Sequence, residues 1–428
     1  MAVPDSASAP AASLSGNGAP VTGAHSAFAI RMLILFLLLE YVRPPVLAEF
    51  RLQMVIIVVM LVLWFQGRNR PWSGILTSQV LFFLLCLQAI PFASNNYAAY
   101  FTTRIMFGHV VIALALAWLL ATRSTFRTVT WAWLLIMGYV ALYGITHGGT
   151  GPGAMLGDEN DLALGCATAF PFAFYGFEKL SGWRRWLSGA ICGLMVVAIV
   201  VSYSRGGFVA LVVVALYCWL ASRHKFRSLV MVALAGSLLM ITAPEEGRTG
   251  QSYVERLMTM FKTDEGTAEG RQFLWSAARN MWRANPILGV GGGNFQFLVG
   301  QYQPTNFDKP QYLQRDWSGA VTHSVYFQVL AEQGSVGILL LGYIVWAHFR
   351  TLRRLRRLTA SQPGIPSDVR RDAELYGGAL GGAVAGYCAA GAFLSVAYYP
   401  YLWYFSAMAV ALETAAERDV TPVGSPCA

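Results

Sequence analysis

Arg205, Arg271 and His323 are the residues whose types and setting could do chemistry in this chain. Arg205 stands in "SYSRGG", between two apolar runs. Gly206 and Gly207 permit unusual dihedrals and a close backbone approach. They also open the following predicted helix, where free N–H groups and the helix dipole favour an anion. An arginine beside such a terminus makes a phosphate site, with Ser204 and Gly206 as further candidate contacts. Arg271 falls at the start of another predicted helix, a dipole-unfavourable place for a cation, which points to binding rather than capping. Arg279 and Arg283 follow at i, i+4 spacing and share a face. They are candidate substrate contacts, or a plain cap for the end of that helix.

His323 stands in "VTHSVYFQVLAEQGSVGILL". Thr322 reads as the N-cap, which places His323 in the first turn, where the dipole disfavours imidazolium. A neutral histidine can accept a proton as a general base must. Glu332 lies deeper on the same predicted helix, where a carboxylate needs a partner or a cavity. An outer-face arginine is the expected partner. Asn294, in the flexible Gly-rich turn "LGVGGGNF", is a further candidate contact. The acidic loop "GPGAMLGDENDLAL" carries Asp158, Glu159 and Asp161. A metal site there is conceivable, but helix capping by Asp158 or Asn160 is the simpler reading. His109 and His147 are expected on the outer side and isolated. Arginines and one histidine without a metal motif fit displacement of a phosphorylated leaving group. The arginines neutralise the departing diphosphate and the histidine deprotonates an attacking hydroxyl.

Such groups must be positioned by membrane elements. Of 428 residues, 56% are hydrophobic and 12% charged, against roughly 25% charged in a soluble domain. Apolar segments fall near 28–42, 46–66, 73–93, 99–121, 128–146, 161–178, 186–203, 206–222, 226–243, 322–348, 376–395 and 400–416. Most approach the roughly 20 residues that span a bilayer. The expectation is an all-α polytopic membrane protein of about twelve transmembrane helices, with Pro400 breaking the last two apart.

The net charge of +9 follows topology. Alternate connectors are basic: "GRNRPW", "TRSTFR", "EKLSGWRR", "SRHKFR" and "RTLRRLRRL". The short connectors between them carry only Arg43, Arg104 and Arg205, each of which could also simply snorkel to the interface. That asymmetry places the basic loops and both termini in the cytoplasm. It also removes the reason to read the charge as nucleic-acid binding. Residues 1–27, rich in Ala, Ser, Gly and Pro and without Lys or Arg, read as a disordered cytoplasmic tail. Residues 28–243 read as helices 1–9, 322–416 as helices 10–12, and 417–428 as a cytoplasmic tail. Residues 244–321 are too long for a structureless connector. "SYVERLMTMF" and "TAEGRQFLWSAARNMWRANP" read as two helices, the second stopped by Pro286, forming a partly helical periplasmic lid. The cysteines form no C-x-x-C pair and read as core residues.

"SYSRGGFVALVV", "EGRQFLWSAARNMWRANPILGVGGGNF" and "THSVYFQVLAEQGSVGILL", in that order, resemble the O-antigen ligase family over about residues 200–340. The superfamily includes O-antigen polymerases and protein O-oligosaccharyltransferases. The resemblance implies a glycosyltransferase C-like membrane enzyme of the bacterial inner membrane with a periplasmic active site. It implies inverting, metal-independent transfer without a cofactor, from an undecaprenyl diphosphate-linked glycan to a hydroxyl of the lipid A core. It matches Arg205, Arg271 and His323 to the family's essential arginines and histidine. "GPGAMLGDENDLALG" is also similar to the exosortase-associated O-glycosylation ligases, so the acceptor stays open between lipid A core, a growing polymer and protein. A lipid-linked glycan transporter is the reading from another class. Transporters keep polar groups near the midplane on broken helices, whereas here most outer charges gather at one face.

Overall fold

The computed structural model describes residues 24–43, 51–153, 155–222, 225, 265–361 and 364–420. Their regular secondary structure is all helical, with no strand among the described residues. The helices are α1 (Ala24–Tyr41), α2 (Leu52–Gln66), α3 (Gly74–Ala89), α4 (Asn96–Leu119), α5 (Arg123–Thr146), α6 (Glu159–Lys179), α7 (Gly182–Val201) and α8 (Arg205–Ala221). Then come α9 (Glu265–Ala284), the short α10 (Phe295–Leu298) and α11 (Pro310–Gln314), and finally α12 (Val325–Ser361), α13 (Ser367–Ala390) and α14 (Pro400–Val420).

By length and composition, α4, α5, α7 and α12 can each cross a membrane, and α2, α3 and α8 are shorter apolar helices. Leu81, Leu84 and Leu87 on α3 and Val55, Val58 and Val62 on α2 point outward, as lipid-facing side chains do. This is the architecture of a polytopic membrane protein. The expected span at 226–243 and the expected helix "SYVERLMTMF" lie outside the described residues.

The bundle centres on α6, α13 and α14, which are buried around most of their circumference, as expected of helices apolar on every side. Small residues let them approach. Pro171 inside α6 rests where a Cβ on Gly382 would meet its ring at 2.9 Å, and Gly378 leaves room for the ring of Tyr175.

Ion pairs lace one end of the bundle. Arg123 bonds Asp368 and Asp419, Arg127 meets Asp372 at 2.5 Å, Lys179 meets Glu374 at 3.0 Å, and Arg354 meets Glu413 at 3.1 Å. The other end gathers the starts of α6, α8 and α12 with the 391–399 connector, and there Arg205 and His323 lie.

A second hydrophobic core sits over that end. Phe273, Leu274, Ala277 and Met281 of α9 pack with Phe295, Leu298, Tyr312 and Trp317. The expected helix before Pro286 is α9. The apolar stretch 322–348, expected as one straight helix, instead breaks at Gly334 (φ 64°, ψ −161°). Residues 286–291 fill the break: Val290 and Gly291 donate to the carbonyls of Ala331 and Glu332 at 3.0 and 2.9 Å, and Ser335 and Val336 donate to Pro286 and Ile287 at 2.8 and 3.2 Å. Broken backbone at membrane depth needs such partners, because lipid offers none.

Candidate active site

The start of α8 is fixed by a chain of caps. Ser204 is its N-cap, accepting from the Gly207 amide at 3.1 Å and donating to Asn160 Oδ1 at 2.6 Å. Asn160 in turn donates its amide to Asp158, the N-cap of α6, at 2.7 Å, which bears out the capping reading of the acidic loop. Ser204 is buried and its hydroxyl is committed on both sides. Gly207 allows this close approach, since a Cβ there would lie 2.2 Å from that of Ala163. Arg205 is therefore the first residue of α8, half-buried. Tyr203, just before it, adopts a left-handed φ of 54°.

Arg271 comes to the same end from α9. Its guanidinium carbon lies 5.7 Å from the Phe393 ring centroid. A Cβ on Gly206 would touch Phe393 and Leu394 at 3.4–3.5 Å, so Phe393 is the floor shared by both arginine-bearing elements. The Nε of Arg271 is buried without a hydrogen-bond partner among the described residues. Burial lowers the Arg271 pKa, and the positive charge of Arg205 lowers it further. An arginine still keeps its proton at neutral pH, so the orphan donor of Arg271 fits an anion.

His323 is held differently from the expectation. Thr322 is not an N-cap within the helix: α12 begins at Val325, and Ser324 precedes it. The Thr322 hydroxyl instead donates to the Ser324 carbonyl at 2.9 Å and lies 3.0 Å from Ser395 Oγ. The Val325 amide donates to Gly391 at 2.7 Å. His323 thus lies ahead of the first turn, exposed, with φ 49°. A non-glycine residue there costs on the order of 1–3 kcal/mol and persists only where its surroundings enforce it. Trp275 is one enforcer: one turn past Arg271, it donates Nε1–H to the Thr322 carbonyl at 2.9 Å and stacks on Phe327 at 4.9 Å between centroids. The His323 pKa is lowered, first by desolvation, then by the Arg271 charge, against a smaller opposing pull from Asp158. That shift toward the neutral imidazole comes from this surface and its cation, not from a helix dipole. Arg205, Arg271 and His323 are therefore coupled in series by charge, with Asp158 at the edge.

Glu332 takes no arginine partner among the described residues. It is buried, accepting from the Phe295 amide at 3.1 Å and the Tyr398 hydroxyl at 2.7 Å. The break at Gly334 brings loop amides to the carboxylate, so it locks the loop rather than facing a charge. Asn294 is fully buried, and its amide bonds the backbone of Asn95 in both directions, at 2.7 and 3.3 Å. Arg279 and Arg283 lie on the exposed face of α9, Arg279 donating to Ser276 Oγ at 2.8 Å. Arg43 and Arg104 share a separate cleft of about 480 Å³ with Glu40, Tyr97, Tyr100 and Phe101. His109 is not isolated but buried against Tyr404 and the Tyr398 carbonyl. His147 stacks on Tyr143.

Sequence reasoning missed the 391–399 connector. It supplies Phe393, Ser395, Tyr398 and also Tyr399, which donates to Asp161 at 2.9 Å. The signal was present in "AYYP", two tyrosines in a short polar gap between apolar helices. It also missed Trp275, on the same face as Arg271.

Residues 190–342 match the family described as O-Antigen ligase. The matched stretch runs from α7 to α12 and contains Arg205, Arg271, His323 and Glu332. No curated protein sequence matches the chain.

Proposed function

We propose, from the O-antigen ligase family domain that residues 190–342 form, that the protein transfers a glycan from undecaprenyl diphosphate to a hydroxyl of the lipid A core on the periplasmic face of the inner membrane. The family domain itself supports an enzyme of ligase-type glycosyl transfer; donor, acceptor and residue roles belong to the proposal. The observation that carries it is the buried Nε of Arg271, without a hydrogen-bond partner among the described residues, beside Arg205 and next to His323, whose pKa desolvation and Arg271 lower. His323 takes the proton of the acceptor hydroxyl as that oxygen attacks the anomeric carbon. The bond from that carbon to the diphosphate breaks from the opposite face, which inverts the configuration. Arg205 and Arg271 offset the negative charge that builds on the departing lipid diphosphate as the bond breaks, with the N-terminal amides of α8 as further donors. The alternating basic connectors support twelve spans, cytoplasmic termini and α9 with its companions as an outer lid.

The test is His323→Ala in cells that make O-antigen. Loss of a general base costs about 10²–10⁴ in rate, so O-antigen-bearing lipopolysaccharide should vanish while the protein stays in the membrane and lipid-linked polymer accumulates. Unchanged lipopolysaccharide refutes the role of His323. Single-repeat lipopolysaccharide on deletion of the gene identifies a polymerase instead, and loss of glycan from a protein identifies a protein acceptor.

A further inference from the structure

At the ion-paired end of the bundle, far from Arg205 and His323, α6, α8, α12 and α13 enclose a cleft of about 440 Å³. Its walls include Tyr175, Lys179, Arg356, Arg370 and Glu374. The ion pair between Lys179 and Glu374 cancels those two charges. Arg356 and Arg370 have no carboxylate partner among the described residues. Arg370 donates Nε–H to the Thr359 carbonyl at 3.3 Å, and Arg356 bonds the side chain of Tyr217. A guanidinium carries five N–H donors, so each arginine keeps further donors for a ligand.

A second observation points the same way. Tyr175 is 3% exposed, lines this cleft, and its hydroxyl has no hydrogen-bond partner among the described residues. A buried hydroxyl without a partner costs about 1–3 kcal/mol. The ring is seated deliberately: a Cβ on Gly378 would lie 2.7–3.0 Å from it. Two uncompensated arginines above one buried hydroxyl donor form a site for a phosphate oxygen. The cleft opens where α6 and α8 end and α13 begins, and the ends of membrane-crossing helices meet lipid headgroups. Basic pockets between membrane helices on the cytoplasmic side suit acidic headgroups.

We propose that this cleft binds the phosphate of an acidic phospholipid, with Arg356 and Arg370 on the charge and Tyr175 donating to an oxygen. The site is independent of the glycan-transfer reading, because none of its residues belongs to the Arg205, Arg271 and His323 group.

The experiment is native mass spectrometry of the purified full-length protein, titrated with phosphatidylglycerol or with phosphatidylcholine. The variants are Tyr175→Phe, the pair Arg356→Ala and Arg370→Ala, and Arg184→Ala. Arg184 is a cation of the same end that stacks on Trp183 outside the cleft, so its variant sets the baseline for nonspecific attraction. Each arginine near an acidic surface is worth about a factor of five, so the double variant should bind phosphatidylglycerol roughly thirty-fold more weakly. Tyr175→Phe keeps the ring on Gly378 and should weaken binding severalfold without lowering the melting temperature of the lipid-free protein. Arg184→Ala should bind as the wild type does, and phosphatidylcholine should bind poorly. Equal retention of phosphatidylglycerol by the double variant overturns the proposal. So does protection by millimolar inorganic phosphate with no preference for the lipid, which would make this a free-anion site.

Discussion

Trp275→Phe tests how His323 is held. The indole donates to the Thr322 carbonyl at 2.9 Å, and its ring stacks on Phe327. Phenylalanine keeps most of the stack and removes only the hydrogen bond. The backbone of His323 lies at φ 49°, a conformation that costs on the order of 1–3 kcal/mol unless its neighbours enforce it. A single hydrogen bond contributes about 1 ± 0.5 kcal/mol net. Losing it should therefore lower the equilibrium constant for correct placement of His323 by about two- to twelvefold, and the correctly placed fraction by up to that factor. Initial rates of glycan transfer by purified protein should fall by that factor in kcat, with KM for the lipid-linked donor little changed, because Arg205 and Arg271 are untouched. The control is the double variant with His323→Ala. If Trp275 acts through His323, it adds nothing to the residual rate once His323 is gone. Wild-type kcat in Trp275→Phe, or an equal further loss in the His323→Ala background, refutes the reasoning.

Arg271→Gln removes the cation that lowers the His323 pKa, so that pKa rises. A base works only when unprotonated, so the acid limb of kcat/KM, below the ordinary histidine value of about 6.5 in the wild type, should move to higher pH. At pH 8 the variant should still lose about 10²–10³ in rate from the missing charge on the leaving group, and at pH 6 more. An unmoved acid limb separates His323 from Arg271. Gly289→Ala should destabilise by about 2–5 kcal/mol, because its φ of 70° is left-handed and the new Cβ would lie 2.5 Å from the Glu332 carbonyl carbon; a melting curve in detergent checks it. Tyr398→Phe strips the 2.7 Å donor from a buried carboxylate oxygen and should cost about 1–3 kcal/mol in the same assay. Gly207→Ala forces α6 and α8 apart and should lower both melting temperature and transfer, whereas Gly342→Ala, with open space around it, should change neither.

Local chemistry written along the chain was legible without a structure. Apolar runs give membrane helices, because a bilayer forbids anything else of that length. Asp158 before "EN" gives a cap, because only a short side chain there reaches the free amides. Pro400 and Pro286 mark helix ends, because a proline cannot donate. Arg205 beside Gly206 and Gly207 declares an anion-ready helix start for the same local reason. What the tertiary structure decided depends on partners remote in sequence. Glu332 was assigned an arginine because a buried charge needs compensation, but the break at Gly334 brings backbone amides and Tyr398 to it instead. Asn294 and Ser204 have side chains suited to ligands, yet packing commits them to Asn95 and to Asn160 and Gly207. The lowered pKa of His323 was expected from a helix dipole, and comes instead from desolvation and Arg271, a residue 52 positions earlier in the chain. Sequence fixes which groups can act and which backbone they interrupt; only the fold brings Phe393, Trp275 and the two arginines to one surface, because that depends on how three separate connectors pack.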